Sequence, residues 1–224
     1  MSSRSEGSIA RPVGIPFSQQ LREATDAAHR DAERSTFVED LTGGRLPLAE
    51  HARFVRQLHA VYVALEAAVA CNDDPVVAPL LAPELAREPA LRADLDHLVG
   101  SGWEDDIAVL ASTTAYCDRI HAASAASSGG LVAHHYVRYL GDLSGGQVLG
   151  RAIARVYELP DRSGTSAYHF DEIESPKAFK DAYRAHLDAL PWGPDERARV
   201  AAEANAAFHC NGALFAELTA TRVS

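Results

Sequence analysis

A glycine-rich stretch in the second half of the chain contains residue types that could do chemistry. Gly141, Gly145 and Gly146 lie within six positions, and Asp142 falls among them. Each glycine inside a helix lowers stability by about 0.5–1 kcal/mol relative to alanine. If this stretch is helical, the glycines must therefore have a function that offsets this loss. Because Gly141 and Gly145 are one turn apart, they would leave a bare strip of backbone that a flat molecule can approach closely.

Asp142 sharpens this interpretation, because a carboxylate on a buried helix is costly unless it is hydrogen-bonded or hydrated. It therefore predicts an organised water cluster. Two other interpretations remain open at this point. The Asp-Leu-Ser-Gly-Gly sequence also suits a loop between two helices, and the glycines suit a helix-packing strip. A phosphate-binding loop is excluded, since no Gly-Lys-Ser/Thr follows and no strand precedes.

His29 is the second candidate for chemistry, in the first predicted helix. It follows Leu21 by eight residues and Thr25 by four, which places it on that helix's apolar face. Glu33, one turn later, could accept a hydrogen bond from the ring and orient it. A satisfied core histidine and an ordinary exposed carboxylate explain the same pattern.

Two further pairs have spacings that suit a ligand. Lys180 and Arg184 are one turn apart and could grip two carboxylates, or they could form a solvated cationic face. Phe208 and Phe215 are seven residues apart and could wall an apolar pocket, although core packing explains them equally well. The chain's only lysines are Lys177 and Lys180, both at the start of one predicted helix.

The elements that must position these residues are helical almost throughout. Apolar residues recur at helical spacing, and Ser18 is expected to cap the first helix. The pattern predicts helices over residues 19–34, 48–71, 113–126, 131–159, 176–190 and 194–220, with short helices over 76–100 and a loop over 160–175. This is an all-α fold. We expect one helical domain over residues 18–221 after a disordered tail of residues 1–17.

Composition excludes several classes of function. The chain has 31 acidic and 21 basic residues, so its net charge of -10 argues against nucleic-acid binding. Its three cysteines form no CxxC pair, which disfavours a disulfide framework and a thiolate zinc site. No signal peptide or membrane-spanning run is recognisable. The sequence therefore predicts a soluble, cytoplasmic protein without a membrane anchor.

The run from Tyr136 to Gln147, YVRYLGDLSGGQ, resembles the signature of the haem oxygenase family. Four further stretches resemble the family in the same order along the chain. They are residues 21–33, residues 62–66, Phe179-Lys180 with Tyr183-Arg184, and residues 207–215. The resemblance spans about residues 18–218.

The resemblance implies an all-helical, single-domain fold that holds haem between a proximal helix and a kinked, glycine-rich distal helix. His29 matches the proximal iron ligand, and Asp142 matches the residue that anchors the distal water network. The family's distal glycines match Gly141, Gly145 and Gly146. The positions that contact the haem propionates match Arg22, Tyr136, Lys180 and Arg184. The distal hydrogen-bond network matches Tyr62 and Arg138.

The implied reaction is oxidation of haem by dioxygen and electrons to biliverdin, carbon monoxide and ferrous iron. Haem is then both substrate and cofactor. A soluble, bacterial-type member would draw electrons from a ferredoxin with its reductase, or from a flavoprotein reductase. Asp26 is a departure, because mammalian-type members carry a lysine there, and it weakens the positive field near the propionates.

Two alternatives come from other classes. A haem-binding or haem-transfer protein would keep His29 but has no need of Asp142 among glycines. A ferritin-like di-iron protein is suggested by the acid–histidine pairs of Asp26, Asp94 and Asp118 with the histidines three residues later. Such sites use glutamate rather than aspartate, and these pairs arise easily in an acidic chain.

Overall fold

The computed structural model describes residues 14–222, apart from the side chain of Glu33. This part of the chain forms helices joined by turns and loops, the longest of which is residues 157–175, and contains no strand. The helices are α1 Phe17–Glu33, α2 Thr36–Thr42, α3 Leu48–Ala70, α4 Glu88–Leu98, α5 Trp103–Asp106, α6 Ala111–Ala126, α7 Ser128–His135, α8 Gln147–Val156, α9 Pro176–Ala189 and α10 Pro194–Ala220. The predicted all-α class is confirmed.

Residues 128–156 form one continuous helical path, which we call the glycine-rich helix. Between α7 and α8 it passes through two π-helical segments, Tyr136–Leu140 and Asp142–Gly146. Wider turns of this kind occur mainly at functional sites, and here they coincide with the glycines. The interpretation of this stretch as a loop is therefore wrong.

The start of the fold differs from the prediction. Phe17, which the sequence places in the tail, begins α1 and is buried, with its ring edge-on to Trp192 at 5.9 Å. Ser18 does not cap the helix; its backbone N–H and its hydroxyl both donate to the carboxylate of Asp188 on α9. The rest of the predicted tail, residues 1–13, lies outside the described residues. Helix α2 was not predicted.

One apolar core runs through the described residues. Helix α1 packs on α9 and α10, α3 packs on α4 and α6, and α10 also packs on α6 and α7. Apolar residues of α3 form a buried stripe at Phe54, Leu58, Val61 and Leu65, and Val69 is half-buried. In residues 14–222, no helix combines the length and apolar character needed to cross a bilayer.

A polar cluster around one buried histidine ties the beginning of the glycine-rich helix to its neighbours. His134 on α7 is fully buried, and its Nε2 lies 2.9 Å from Glu203 on α10. Arg119 on α6 donates to both oxygens of the same carboxylate at 2.8 and 2.9 Å. The hydrogen bond from His134, assisted by Arg119, lowers the pKa of Glu203 to about 2.

We expect Glu203→Gln to lower the free energy of unfolding at pH 7 by about 1–3 kcal/mol, because buried His134 loses a charged partner. The folded-state pKa of Glu203 is depressed, so its contribution is present above about pH 4.5 and is lost as the pH falls towards 2. Urea unfolding should show a larger difference from wild type at pH 7 than at pH 3, where part of the contribution is already lost. Asp171→Asn, which changes an exposed carboxylate paired with Arg162, is the control and should have little effect. An equal effect of the two substitutions at pH 7 would contradict the role of the cluster.

Candidate active site

A cavity opens between α1 and the glycine-rich helix, with α3 and α10 completing its walls. Its inner part has a volume of about 440 Å³ and its outer part about 350 Å³, within the range of small-molecule sites. The two parts share residues from three helices and are therefore continuous. The shared residues are His29, Val137, Gly141, Ser144 and Phe208.

The glycines of this region have two different roles. A Cβ atom added to Gly141 or Gly145 would meet no other atom within 4 Å, so both positions face open space. At Gly150 the same atom would lie 2.7 Å from the Cβ atom of Tyr168. Gly141 and Gly145 thus keep the cavity open along the backbone, whereas Gly150 makes room for a tyrosine ring.

Asp142 is held by Tyr62 and Arg138, and a third helix supports Arg138. The hydroxyl of Tyr62 on α3 donates to Asp142 Oδ2, and Arg138 Nη2 lies 3.6 Å from Oδ1. Arg138 in turn donates to Asn211 Oδ1 on α10 at 2.9 Å, and its guanidinium lies over the Tyr62 ring. We call Tyr62, Arg138, Asp142 and Asn211 the Asp142 network. The Asp142 side chain keeps 21% exposure and lines the inner cavity.

The protonation states in this network follow from burial and charge. Burial raises the pKa of Tyr62 well above its ordinary value, so the phenol stays protonated and acts as a donor. Burial opposes the charge on Arg138, but Tyr62 and Asp142 outweigh it and raise the pKa of the guanidinium. One permanent cation and one permanent hydroxyl donor therefore hold the Asp142 carboxylate.

His29 lies on the opposite wall of the cavity. It is exposed on α1 rather than packed in the core, and its ring meets Phe208 edge-on with 5.6 Å between centroids. Both residues line the inner and outer parts of the cavity. The interpretation of His29 as a core histidine is therefore wrong. The predicted contact from Glu33 falls on a side chain outside the described residues.

The outer part of the cavity is rich in charge. Arg22, Tyr136 and Arg184 line it, as does Asp26, which forms an ion pair with Arg30 at 2.8 Å. These cations lie where a ligand's carboxylates could be held at the solvent edge.

Lys180 takes a different position from the other predicted cations. Its Nζ lies 3.0 Å from Ser144 Oγ and 3.4 Å from the carbonyl oxygen of Leu143. The lysine therefore contacts the glycine-rich helix itself. Burial, with a contribution from Arg184, lowers the pKa of Lys180.

Sequence reasoning did not assign site roles to several residues of the cavity. Tyr168 lies in the stretch predicted as a loop, and Asn211 is a buried polar residue inside a long helix. The spacing of Gly146 and Gly150 by one turn was an available signal, because a second bare strip implies a second close contact. The apolar wall also includes Phe54, Leu58 and Leu149.

The ferritin-like interpretation is wrong. Asp94 accepts hydrogen bonds from Ser166 and Ala167, and Asp26 is paired with Arg30. Within residues 14–222, no group of three or more histidine, cysteine, aspartate or glutamate side chains could hold a metal ion.

Comparison with known proteins identifies the family. A family model described as "Heme oxygenase" matches residues 15–217. The chain belongs to the haem oxygenase family. It is 39% identical over 208 residues to the haem oxygenase of Porphyra purpurea, covering 92% of this chain and 88% of that protein. Haem oxygenase 1 of Synechocystis is 37% identical over 207 residues, covering 92% and 86%.

Solved haem oxygenase structures agree with the fold. The structure of haem oxygenase-1 from Synechocystis in complex with haem superposes with a TM-score of 0.86 at 37% identity, covering 92% of this chain and 93% of that one. Haem oxygenase from Leptospira interrogans gives 0.86 at 36% identity, covering 91% and 100%. The family resemblance of the sequence is therefore confirmed.

The two roles of the glycines can be separated by substitution. We expect Gly141→Ala to leave the apoprotein as stable as wild type, or up to about 1 kcal/mol more stable, while the added methyl group weakens haem binding. Gly150→Ala should cost about 1–3 kcal/mol, because the methyl group collides with the base of Tyr168. Thermal unfolding of the apoproteins and haem titration would measure both effects. Wild-type haem affinity in Gly141→Ala would contradict the assignment of Gly141 to the wall that haem approaches.

Proposed function

We propose that this chain, as a haem oxygenase, binds haem between α1 and the glycine-rich helix and cleaves it to biliverdin, carbon monoxide and ferrous iron. The observation that carries this placement is the open space at Gly141 and Gly145, on the wall that faces His29. Bound haem is the substrate and also supplies the iron at which dioxygen reacts.

The cavity fits a flat apolar molecule that carries two carboxylates. Its inner walls are apolar at Phe54, Leu58 and Leu149. Its outer part offers Arg22, Tyr136 and Arg184, and Lys180 lies beside Ser144 at the same opening. Charge-assisted hydrogen bonds from these groups would orient the molecule with its carboxylates at the solvent edge. Asp26 reduces the positive charge of this rim.

His29 is the residue of this cavity suited to bind iron. Imidazole is a common haem ligand, and the exposed ring already lies in the cavity. The edge of Phe208 restricts its orientation. We assign His29 as the axial ligand.

Asp142 is the residue suited to handle protons on the other wall. Two of its hydrogen-bonding positions face Tyr62 and Arg138, and its remaining lone pairs are available to a water molecule in the cavity. Such a water can deliver protons at the site of oxygen chemistry while the carboxylate stays fixed. Asn211 keeps Arg138 in place for this purpose.

The Asp142 network also separates this function from simple haem binding or transfer. A carrier needs the apolar walls and an iron ligand, but it gains nothing from a buried arginine, a tyrosine and an asparagine that together fix one carboxylate. Incubation with haem, a reductant and dioxygen distinguishes the two functions. Formation of biliverdin supports the oxygenase, and a persistent haem spectrum supports the carrier.

Electrons must come from a partner protein, and we propose a ferredoxin with its reductase or a flavoprotein reductase. The arginines at the outer part of the cavity, Arg22, Arg30 and Arg184, suit an acidic donor surface. We also propose a cytoplasmic location, since Cys71, Cys117 and Cys210 are free thiols.

We expect His29→Ala to remove the axial nitrogen ligand of the iron and to change the haem absorption spectrum. Addition of imidazole should restore part of the wild-type spectrum, because it can occupy the space left by the ring. His209→Ala, which changes an exposed histidine outside the cavity, is the control. An unchanged spectrum in His29→Ala would overturn the ligand assignment.

We expect Asp142→Asn to bind haem normally but to form biliverdin about 10²–10⁴-fold more slowly, the range for loss of a proton-transfer group. Haem titration and product absorbance would measure the two quantities separately. Asp118→Asn, at an exposed carboxylate on α6, should retain wild-type turnover. Normal turnover in Asp142→Asn would contradict a role for the carboxylate in the reaction.

A further inference from the structure

Tyr168 is a buried residue of the inner cavity that the proposed function does not use. Its relative exposure is 5%, and it lines the same part of the cavity as Asp142. Within the described residues, no atom accepts from or donates to its hydroxyl group. A buried hydroxyl without a partner costs free energy that a phenylalanine at this position would avoid. The hydroxyl therefore needs a partner that the described residues do not supply.

The backbone around Tyr168 is held from two other helices. The buried carboxylate of Asp94 on α4 accepts from the backbone N–H groups of Ser166 and Ala167, at 2.8 and 2.9 Å, and from the Ser166 hydroxyl at 2.7 Å. On α3, His51 Nε2 lies 2.7 Å from the carbonyl oxygen of Gly164.

A third buried side chain holds the other side of Tyr168. Arg87, just before α4, donates to the carbonyl oxygen of His169. The guanidinium of Arg87 also lies 3.9 Å from the ring centroid of Phe170. Three buried polar side chains thus fix residues 164–169.

The ring of Tyr168 is fixed against the glycine-rich helix as well. Gly150 allows the ring to approach the backbone, and a Cβ atom on Gly146 would lie 3.7 Å from its Cδ1 atom and 3.4 Å from the Cβ atom of Asp142. Tyr168 and Asp142 are therefore neighbours across Gly146.

We propose that Tyr168 is a positioning residue of the Asp142 network, and that its hydroxyl donates a hydrogen bond to a water molecule held with Asp142 in the inner cavity. The proposal rests on the proposed function, because that water is the one through which Asp142 acts. Tyr168 would then be a second hydroxyl donor of the network, on a different element from Tyr62. This role explains why Gly150 makes room for the ring and why buried side chains support residues 164–169.

The charges around Tyr168 suit a donor. Burial raises the pKa of Tyr168 far above its ordinary value, the carboxylates of Asp142 and Asp94 raise it further, and Arg138 opposes them. The phenol is therefore protonated near pH 7 and can act as a donor. On the α3 side, burial lowers the pKa of His51 to about 4, so that ring is neutral near pH 7.

The test removes only the hydroxyl, with Tyr168→Phe. The ferric haem complex passes from a water-bound to a hydroxide-bound form as the pH rises, and absorbance gives the midpoint. The donor favours hydroxide, whether it acts on the bound water directly or through Asp142. We therefore expect the midpoint to rise by roughly 0.4–1 pH unit in the variant, the size of one hydrogen bond.

Tyr157→Phe is the matched control. The Tyr157 hydroxyl donates to the carbonyl oxygens of Leu41 and Leu46, outside the cavity. Its loss should lower thermal stability and leave the midpoint unchanged.

A midpoint in Tyr168→Phe within 0.1 pH unit of wild type overturns the proposal, as does a crystal structure of the haem complex in which no water lies within hydrogen-bonding distance of the Tyr168 hydroxyl. Either result leaves the proposed function intact if the wild-type protein forms biliverdin. Failure of the wild-type protein to bind haem in the cavity overturns the proposed function itself.

Discussion

The structure depends on one steric constraint: a helix must present bare backbone to a flat ligand. Gly141 and Gly145 satisfy it, and the wider π-helical turns bring Asp142 to the same cavity. Such a helix lacks intrinsic stability, so it is held from outside. The cluster of His134, Glu203 and Arg119 holds its beginning, and Tyr168 packs against its later part. The cost of the glycines is thereby offset by contacts from several other elements.

The sequence predicted a glycine-rich helix at this place, because glycine spacing is a local signal. The role of Asp142 stays a prediction. The long helices were also predicted closely, since their apolar periodicity runs over many turns. The sequence did not predict site roles for Tyr168 and Asn211. Tyr168 lies in a segment without periodicity, and its place depends on Asp94, His51 and Arg87, which are remote in the sequence. The start of α1 at Phe17 was also missed, because Phe17 packs against Trp192, which is remote in the sequence.

In this protein the positions of the charged side chains matter more for function than the net charge. A net charge of -10 excludes a nucleic-acid footprint, yet arginines line the outer part of the cavity, where the carboxylates of haem would lie. Inside, Arg138 is the buried cation of the Asp142 network, where Tyr62 and Asp142 raise its pKa. In the proposed function, the outer cations bind and orient haem, and the inner one takes part in proton handling. Asp26 lies in the outer set only, where it lowers the positive charge.

The open strip at Gly141 and Gly145 also links the lifetime of the folded protein to its substrate. A ligand that binds only the folded form stabilises it by mass action, by about 2.7 kcal/mol at a concentration one hundred times its dissociation constant. In the proposed function, that ligand fills the space beside the glycine-rich helix. Each turnover destroys it, so the protein returns after every cycle to its less protected form. A cell that runs out of haem would then clear this enzyme faster, and abundance would follow substrate supply without any dedicated regulator.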